Sequence, residues 1–563
     1  MDRLPCAYCL LPTFSERLYL QRSMLAKRAW HFLFIAIAAF YFWGLGSFPL
    51  IGPDEPRYAE VAREMLMRRD FITPTLGGLP WFEKPALLYW MMNLAYRVLG
   101  VSEYAARLGP AVCGLVTAAF LYWMGTTVSA DDQSGEYSAN VARWSALAWL
   151  SSSGAIGASR AASFDIVLTM TITAALVCFF VSETRARRSV NWLFVAFYLF
   201  AGLSLLAKGL IGFVIIFGVI GLYFILRREW PRRTFLRSLI WGVPLAVALA
   251  SIWYGPMLAR HGWIFFDQFI IQHHFARFVS NKFHHPAPFY FYVPVLLGLA
   301  FPWTIALGAG LLSARGWNWR GPSVLDRARI FALAWILVPL VFFSFSGSKL
   351  AAYIIPALPG VAVLVGERIA CLINARRGQR VLRFTGALLL VVVAAAIWYT
   401  RRHTDLKPLT MFLAGLPLIG AGVWAVLRPS WRYSFTAIAV AILMTAAIAL
   451  RLAVPIVART QSVRDLLSVA TARGYSNLKL VELHEIERSS EFYAAGRIEY
   501  DADGEPMKFE GVGQVLNAAR QNGGAVLCLI PIEYAPQLLE YQPANPEFVA
   551  DNGRYALVVV RSK

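Results

Sequence analysis

Asp54 and Glu55 lie between Pro53 and Pro56, just beyond a long apolar run, in Gly52-Pro53-Asp54-Glu55-Pro56-Arg57-Tyr58. Proline fixes φ, so the acidic pair is held in a defined turn. A carboxylate held there can orient or deprotonate a nucleophile, or bind a cationic group. Asp54 also suits the N-cap of an amphipathic helix over 56–69, with Pro56 at its first position, and a cap role is compatible with chemistry. Arg57 and Tyr58 follow as candidate substrate contacts, then Glu60, Arg63 and Glu64.

A second group is Trp81-Phe82-Glu83-Lys84-Pro85. Lys84 could bind a lipid phosphate, with Glu83 holding it in place; the plain alternative is an interfacial salt bridge of little energetic weight. Asp165 follows Arg160 at the start of an apolar run. It could cap that run, or complete a two-carboxylate site with Asp54. Lys208 and Lys349 occupy tight turns beside Gly209 and Gly347. Snorkelling is the bland reading of each; a bound phosphate is the functional one. The segment 258–288 carries His261, His273, His274, His284 and His285, with Arg277 and Lys282 among aromatics. Arg277 is a candidate phosphate contact. Glu83 with His273 and His274 is a candidate divalent-metal set, though no spacing there is diagnostic. An aromatic, basic surface for lipid headgroups is the competing reading.

The elements that must position these groups are membrane helices. The chain has 563 residues, 58% hydrophobic and 15% charged, with mean hydropathy +0.54. Its apolar runs do not alternate and reach the ~20 residues that cross ~30 Å of hydrocarbon. A transmembrane β-barrel is excluded. The formal charge of +20 sits in short loops, the positive-inside pattern, so nucleic acid is not a partner. Spans are expected near 30–50, 105–127, 140–158, 164–182, 190–207, 209–226, 236–257, 289–313, 329–347, 350–369, 382–399, 408–427 and 434–454. That is about 13 transmembrane helices, with the N-terminus inside and the C-terminus outside. The basic turn Arg401 to Lys407 and the acidic pair Asp131-Asp132 run against the charge rule.

The decisive segment is 85–100. Counted as a span, it separates Asp54 from Asp165. Read as an interfacial helix, it places Asp54, Glu83, Lys84, Asp165, Lys208 and Lys349 on one outer face. Polar groups at membrane depth are costly and usually functional, so their convergence is the main functional signal.

The expected organisation is a cytoplasmic extension 1–29 and a membrane domain 30–455. Within it, 51–104 forms a first outer loop with interfacial helices, and 258–288 a second outer loop. A small α/β domain over 456–563 is expected on the outer side, from alternating helical and strand-like stretches. No catalytic motif stands out in that domain. Cys6 and Cys9 form a C-x-x-C without a partner pair, and no disulfide framework is inferred.

These motifs resemble the GT-C glycosyltransferases of the protein O-mannosyltransferase type. The resemblance rests on Asp-Glu in the first outer loop, Glu-Lys-Pro at an interfacial helix, Arg160 to Asp165 and a Lys-Gly turn. The stretches Ser344 to Gly360, which includes Tyr353, and His284 to Tyr292 are similar to the bacterial branch that includes lipid A aminoarabinose transferases. It covers roughly 30–455. It implies a polyprenyl-phosphate donor, undecaprenyl phosphate-4-amino-4-deoxy-L-arabinose, and a lipid A phosphate acceptor at the periplasmic face of a bacterial inner membrane. Capping those phosphates weakens polymyxin binding. It implies catalytic carboxylates at Asp54 and Asp165, and substrate contacts at Arg57, Tyr58, Glu83, Lys84, Arg277, Lys349, Tyr353 and Lys208. No cofactor is required beyond a possible divalent metal, and no obligate protein partner. The rivals are a related enzyme with a protein hydroxyl or another glycolipid as acceptor, and a lipid transporter or flippase. A transporter would want polar groups at the midplane and repeated halves.

Overall fold

The computed structural model describes residues 14–128, 136–184, 190–276, 287–403, 406–430, 433–494, 496–501 and 504–562. One unit is Met1–Trp43, described as the helix α1, Phe14–Phe42. The second unit, Gly44–Lys563, holds everything else.

The second unit begins with α2, Asp54–Arg68. The helix starts at Asp54 itself, with Pro53 before it and no side-chain cap. Asp54 is therefore a first-turn acid, favoured by the helix dipole, and not the expected N-cap. A two-stranded β1–β2 ribbon (Thr75–Leu76, Leu79–Pro80) leads to α3, Leu87–Leu99. At about 1.5 Å per residue, α3 is roughly 20 Å long, too short to cross hydrocarbon. It buries Leu88, Tyr89, Met92 and Tyr96 along one face and exposes Leu94 and Val98 on the other, so both faces carry apolar side chains.

The helical bundle follows as α4, Glu103–Thr127; α5, Glu136–Leu150; α6, Ser153–Ala158; α7, Phe164–Thr184; α8, Val190–Lys208; α9, Ile211–Arg227; and α10, Arg233–Phe265. Ser102 caps α4 by accepting the Ala105 N–H, and Ser152 caps α6 by accepting that of Ala155. The run expected as one span over 140–158 is broken at Ser151 and Ser152. The Ser152 cap starts a new helix where the old one ends. After the π-helical turn Phe266–Ala276 come α11, Tyr292–Leu299, and α12, Thr304–Leu312. These lie in two arms that meet at 115°, so the run expected straight over 289–313 is bent. Pro302, which has no N–H to continue a helix, sits at the bend. The bundle closes with α13, Val324–Ser344; the 3₁₀ stretch Ala351–Ala357; α14, Leu358–Asn374; α15, Gln379–His403; α16, Pro408–Leu427; and α17, Ser434–Leu452.

Among the described residues, eight helices are long and apolar enough to cross a membrane, or nine if the bent pair is one span. The chain is an integral membrane protein. The expected count of thirteen includes α8, α9 and the broken α5–α6, which are shorter than a full crossing by this measure. Helix α7 is the central one: 94% of its apolar window is buried, against 28% for α15. It packs against α4, α8 and α9. Gly366 on α14 shows how close the packing is, since a Cβ there would lie 2.4 Å from the Ser145 backbone nitrogen of α5. Small residues let apolar helices approach this way in lipid.

After α18, Val454–Thr460, and α19, Arg464–Ala472, the C-terminal part forms a five-stranded sheet. Its strands are β3, Leu480–Leu483; β4, Lys508–Phe509; β5, Ala525–Pro531; β6, Glu547–Asp551; and β7, Tyr555–Arg561, in order β4-β3-β5-β7-β6. β3 runs parallel to β4 and β5, while β7 is antiparallel to β5 and β6. Strands β5 and β7 are buried on both faces, one under α21, Val512–Gln521, the other under α19. The short helix α20, Ser489–Tyr493, follows β3.

Glu482 on β3 is fully buried. Burial pushes its carboxyl up from 4.5 to about 8, against hydrogen bonds from Ser490 and Glu487 that pull the other way. A folded value above the unfolded one means its stabilising contribution is complete below the unfolded value and is lost as pH rises through about 8. Thermal unfolding of the Glu482→Gln chain across that window is expected to show a smaller loss of Tm with rising pH than the unaltered chain.

Candidate functional site

The acidic pair Asp54-Glu55 divides its labour. Asp54 keeps half its side chain exposed and pairs with Arg57 at 3.1 Å. Arg57 in turn donates from Nε to the Pro53 carbonyl at 2.7 Å and lies 5.4 Å from the centre of the Trp81 ring. Burial lowers the Arg57 pKa, but the Glu83 and Asp54 carboxylates outweigh it and hold the guanidinium above its usual value. Arg57, Asp54 and Glu83 are thus one electrostatic group. Lys84 lies 3.8 Å from Glu83. Tyr58 is buried, and desolvation followed by the same two carboxylates keeps its phenol protonated, well above the usual value.

Glu55 points inward. It accepts a bidentate pair from Arg107, Nε to Oε1 at 3.1 Å and Nη2 to Oε2 at 2.7 Å. It also accepts the N–H of Ile51 at 3.1 Å and of Ala162 at 2.6 Å. Arg107 is completely buried and spends its remaining donors on the carbonyls of Leu45, Phe48 and Pro49. This clamp joins three segments: the strand of chain leading to Asp54, α4, and the turn leading to Asp165.

At the start of α7, Asp165 is buried and paired with Lys208 at the end of α8. Ser163 donates to its other oxygen at 3.1 Å. Lys208 also lies 4.4 Å from the centre of the Tyr353 ring. Lys349 donates to the Ser346 carbonyl at 2.7 Å, just ahead of the 3₁₀ stretch that carries Tyr353. The two groups are neighbours: Tyr58 and Tyr89 both make T-shaped contacts with Phe164, at 4.9 and 5.3 Å between ring centres. Phe164 is the residue before Asp165.

Tyr58 thus links the group of Asp54, Arg57, Glu83 and Lys84 to the residue before Asp165, which pairs with Lys208 beside Tyr353. A carboxylate open to solvent, a buried carboxylate–lysine pair and several cations at one end of an apolar bundle can hold a phosphate leaving group and a polar acceptor together. Arg277, His284 and His285 lie outside the described residues, as do the side chains of His273 and His274. No three His, Cys, Asp or Glu side chains converge as metal ligands among the described residues.

Arg107 was missed by reading motifs. A lone arginine inside the apolar run of α4 was the available signal, because an ionisable group there needs a partner. Tyr89 on α3 was missed as well, and nothing but its place on the amphipathic face marks it.

A family profile for dolichyl-phosphate-mannose-protein mannosyltransferases matches residues 28–276. The undecaprenyl phosphate-α-4-amino-4-deoxy-L-arabinose arabinosyl transferase 2 of Sodalis glossinidius is 30% identical over 401 residues, 70% of each chain. The arabinosyl transferase of the same name from Pseudomonas aeruginosa is 28% identical over 74% of this chain and 73% of its own. That from Yersinia enterocolitica is 29% identical, and the match spans 62% of its length. ArnT from Cupriavidus metallidurans bound to undecaprenyl phosphate superposes with TM-score 0.76 at 22% identity, over 94% of this chain and 98% of its own. Its apo form gives 0.74. Fold and relatives together define a polytopic membrane glycosyltransferase of the GT-C fold. The chain belongs to the undecaprenyl phosphate-α-4-amino-4-deoxy-L-arabinose arabinosyl transferase family.

Proposed function

We propose that this chain moves 4-amino-4-deoxy-L-arabinose from undecaprenyl phosphate to a phosphate of lipid A, at the periplasmic face of a bacterial inner membrane. The observation that supports the site assignment is the packing of Tyr58 and Tyr89 on Phe164, which brings the helix that carries Asp54 against the residue before Asp165. The relatives named above supply the donor.

In this reading the bond between the sugar anomeric carbon and the donor phosphate oxygen breaks. Its electrons stay on the lipid phosphate, and an acceptor phosphate oxygen forms the new bond. Arg57, Lys84 and Lys349 stabilise the charge on the departing phosphate, with Arg277 as a further candidate. Lys208 holds Asp165 in place and, over Tyr353, lines the same side. A phosphate acceptor is already ionised at neutral pH, so it needs little deprotonation. Asp54 then orients the acceptor or pairs with the sugar ammonium, a role its half-exposed carboxylate suits. Both lipids enter sideways from the bilayer into this end of the bundle.

Transfer by the detergent-purified chain is the test. Radiolabel passing from a polyprenyl-phosphate aminoarabinose to lipid A, with no second compartment present, is the expected result. Donor binding without any transfer would favour a transporter and contradict the proposal.

A further inference from the structure

We propose that Phe492 and Tyr493, on the short helix α20 of the C-terminal α/β domain, are positioning residues for the loop and helix that carry Asp54. The inference rests on the transferase reading above. Tyr493 reaches the segment just ahead of Asp54: its hydroxyl accepts the Leu50 N–H at 2.8 Å and donates to Glu103 at 2.9 Å. The next residue, Ile51, gives its N–H to Glu55 at 3.1 Å. The approach to Asp54 is thus held from two sides, by the outer domain through Tyr493 and by the membrane helices through Glu55 and Arg107.

Phe492 holds α2 itself. Its carbonyl accepts from Arg63 at 3.1 Å, and the Arg63 guanidinium lies 5.2 Å from its ring centre. Arg63 is also ion-paired with Glu60 on α2. Glu60, Glu491 and Phe492 are buried at the junction. Glu60 is buried, and desolvation lifts its carboxyl to about 8 despite Arg63; burial raises Glu491 as well, despite Arg488. A hydrogen bond in such surroundings is stronger and more directional than one in water.

Two further contacts keep the domain seated. Arg464 on α19 meets Glu103 at 3.2 Å. Gly77, at φ +60° in the turn between β1 and β2, leaves room for Tyr500, whose ring carbon would lie 2.3 Å from a Cβ there. These contacts reach Leu50, four residues before Asp54, and Arg63 on the helix that Asp54 begins. The placement of a reacting group by about 1 Å can change a rate by about a hundredfold, so a clamp of this kind acts on the chemical step.

Tyr493→Phe in the full-length, detergent-purified chain tests this, with sugar transfer measured per molecule that binds donor. The ring and its packing stay; only the hydroxyl that holds Leu50 is lost. Expected is a kcat lower by about tenfold, with the donor KM and the Tm of the chain near those of the unaltered protein. Glu103→Gln, which still accepts from Tyr493, is expected to keep kcat within about twofold. An unchanged kcat in Tyr493→Phe, or a loss wholly matched by a lower Tm and fewer donor-binding molecules, overturns the positioning role while the transferase reading stands. Absence of transfer by the unaltered chain overturns both.

Discussion

Arg107→Ala is expected to destabilise the chain by about 3–5 kcal/mol, because it leaves the Glu55 carboxylate buried without its cation. Arg107 is fully buried, and its donors serve both Glu55 oxygens and the carbonyls of Leu45, Phe48 and Pro49. The loss falls on the surroundings of both candidate carboxylates at once. Glu55 is adjacent to Asp54, and the Ala162 N–H it accepts lies three residues before Asp165. Thermal unfolding in detergent and transfer on the same preparation should fall together. Arg107→Lys, which keeps the charge but not the fork, should lie between the two. An Arg107→Ala chain with unaltered Tm and activity would show that the clamp does not set the carboxylates.

Asp54→Asn should do the opposite: little to stability, much to transfer. Asp54 is half exposed, and among the described residues its ion pair is with Arg57 within the same helix. Removing such a pair costs at most about 1 kcal/mol. Transfer is expected to fall by about a hundredfold or more, the scale on which a positioned carboxylate acts. Near-normal transfer would remove Asp54 from the mechanism. Together the two variants separate the neighbours in one motif: on the proposed reading Glu55 builds the site and Asp54 works in it.

That separation is where reading the sequence stopped. The Pro-Asp-Glu-Pro turn was legible because proline fixes the backbone, and the helical bundle because long apolar runs have few other uses. The interfacial reading of 85–100 came from the sides it gives the polar groups and basic loops; the helix there, α3, has 13 residues. Which of Asp54 and Glu55 faces inward was not, because it depends on Arg107, fifty-two residues on in the chain. The break at Ser152 and the bend near Pro302 were hidden inside apolar runs that periodicity treats as continuous. In the C-terminal domain the helices and longer strands were marked by composition, while the two-residue β4 is too short to leave a pattern. The role of α20 was invisible for the same reason as Arg107: its partners Leu50 and Arg63 lie more than four hundred residues away in the chain.

Mass spectrometry of lipid A incubated with the purified chain and undecaprenyl phosphate-4-amino-4-deoxy-L-arabinose measures the proposed transfer of aminoarabinose. Lipid A is expected to gain the mass of the aminopentose at a phosphate, and the gain is expected to be lost with Asp54→Asn. Lipid A of unchanged mass, while the same chain glycosylates a protein hydroxyl or another glycolipid, would contradict it.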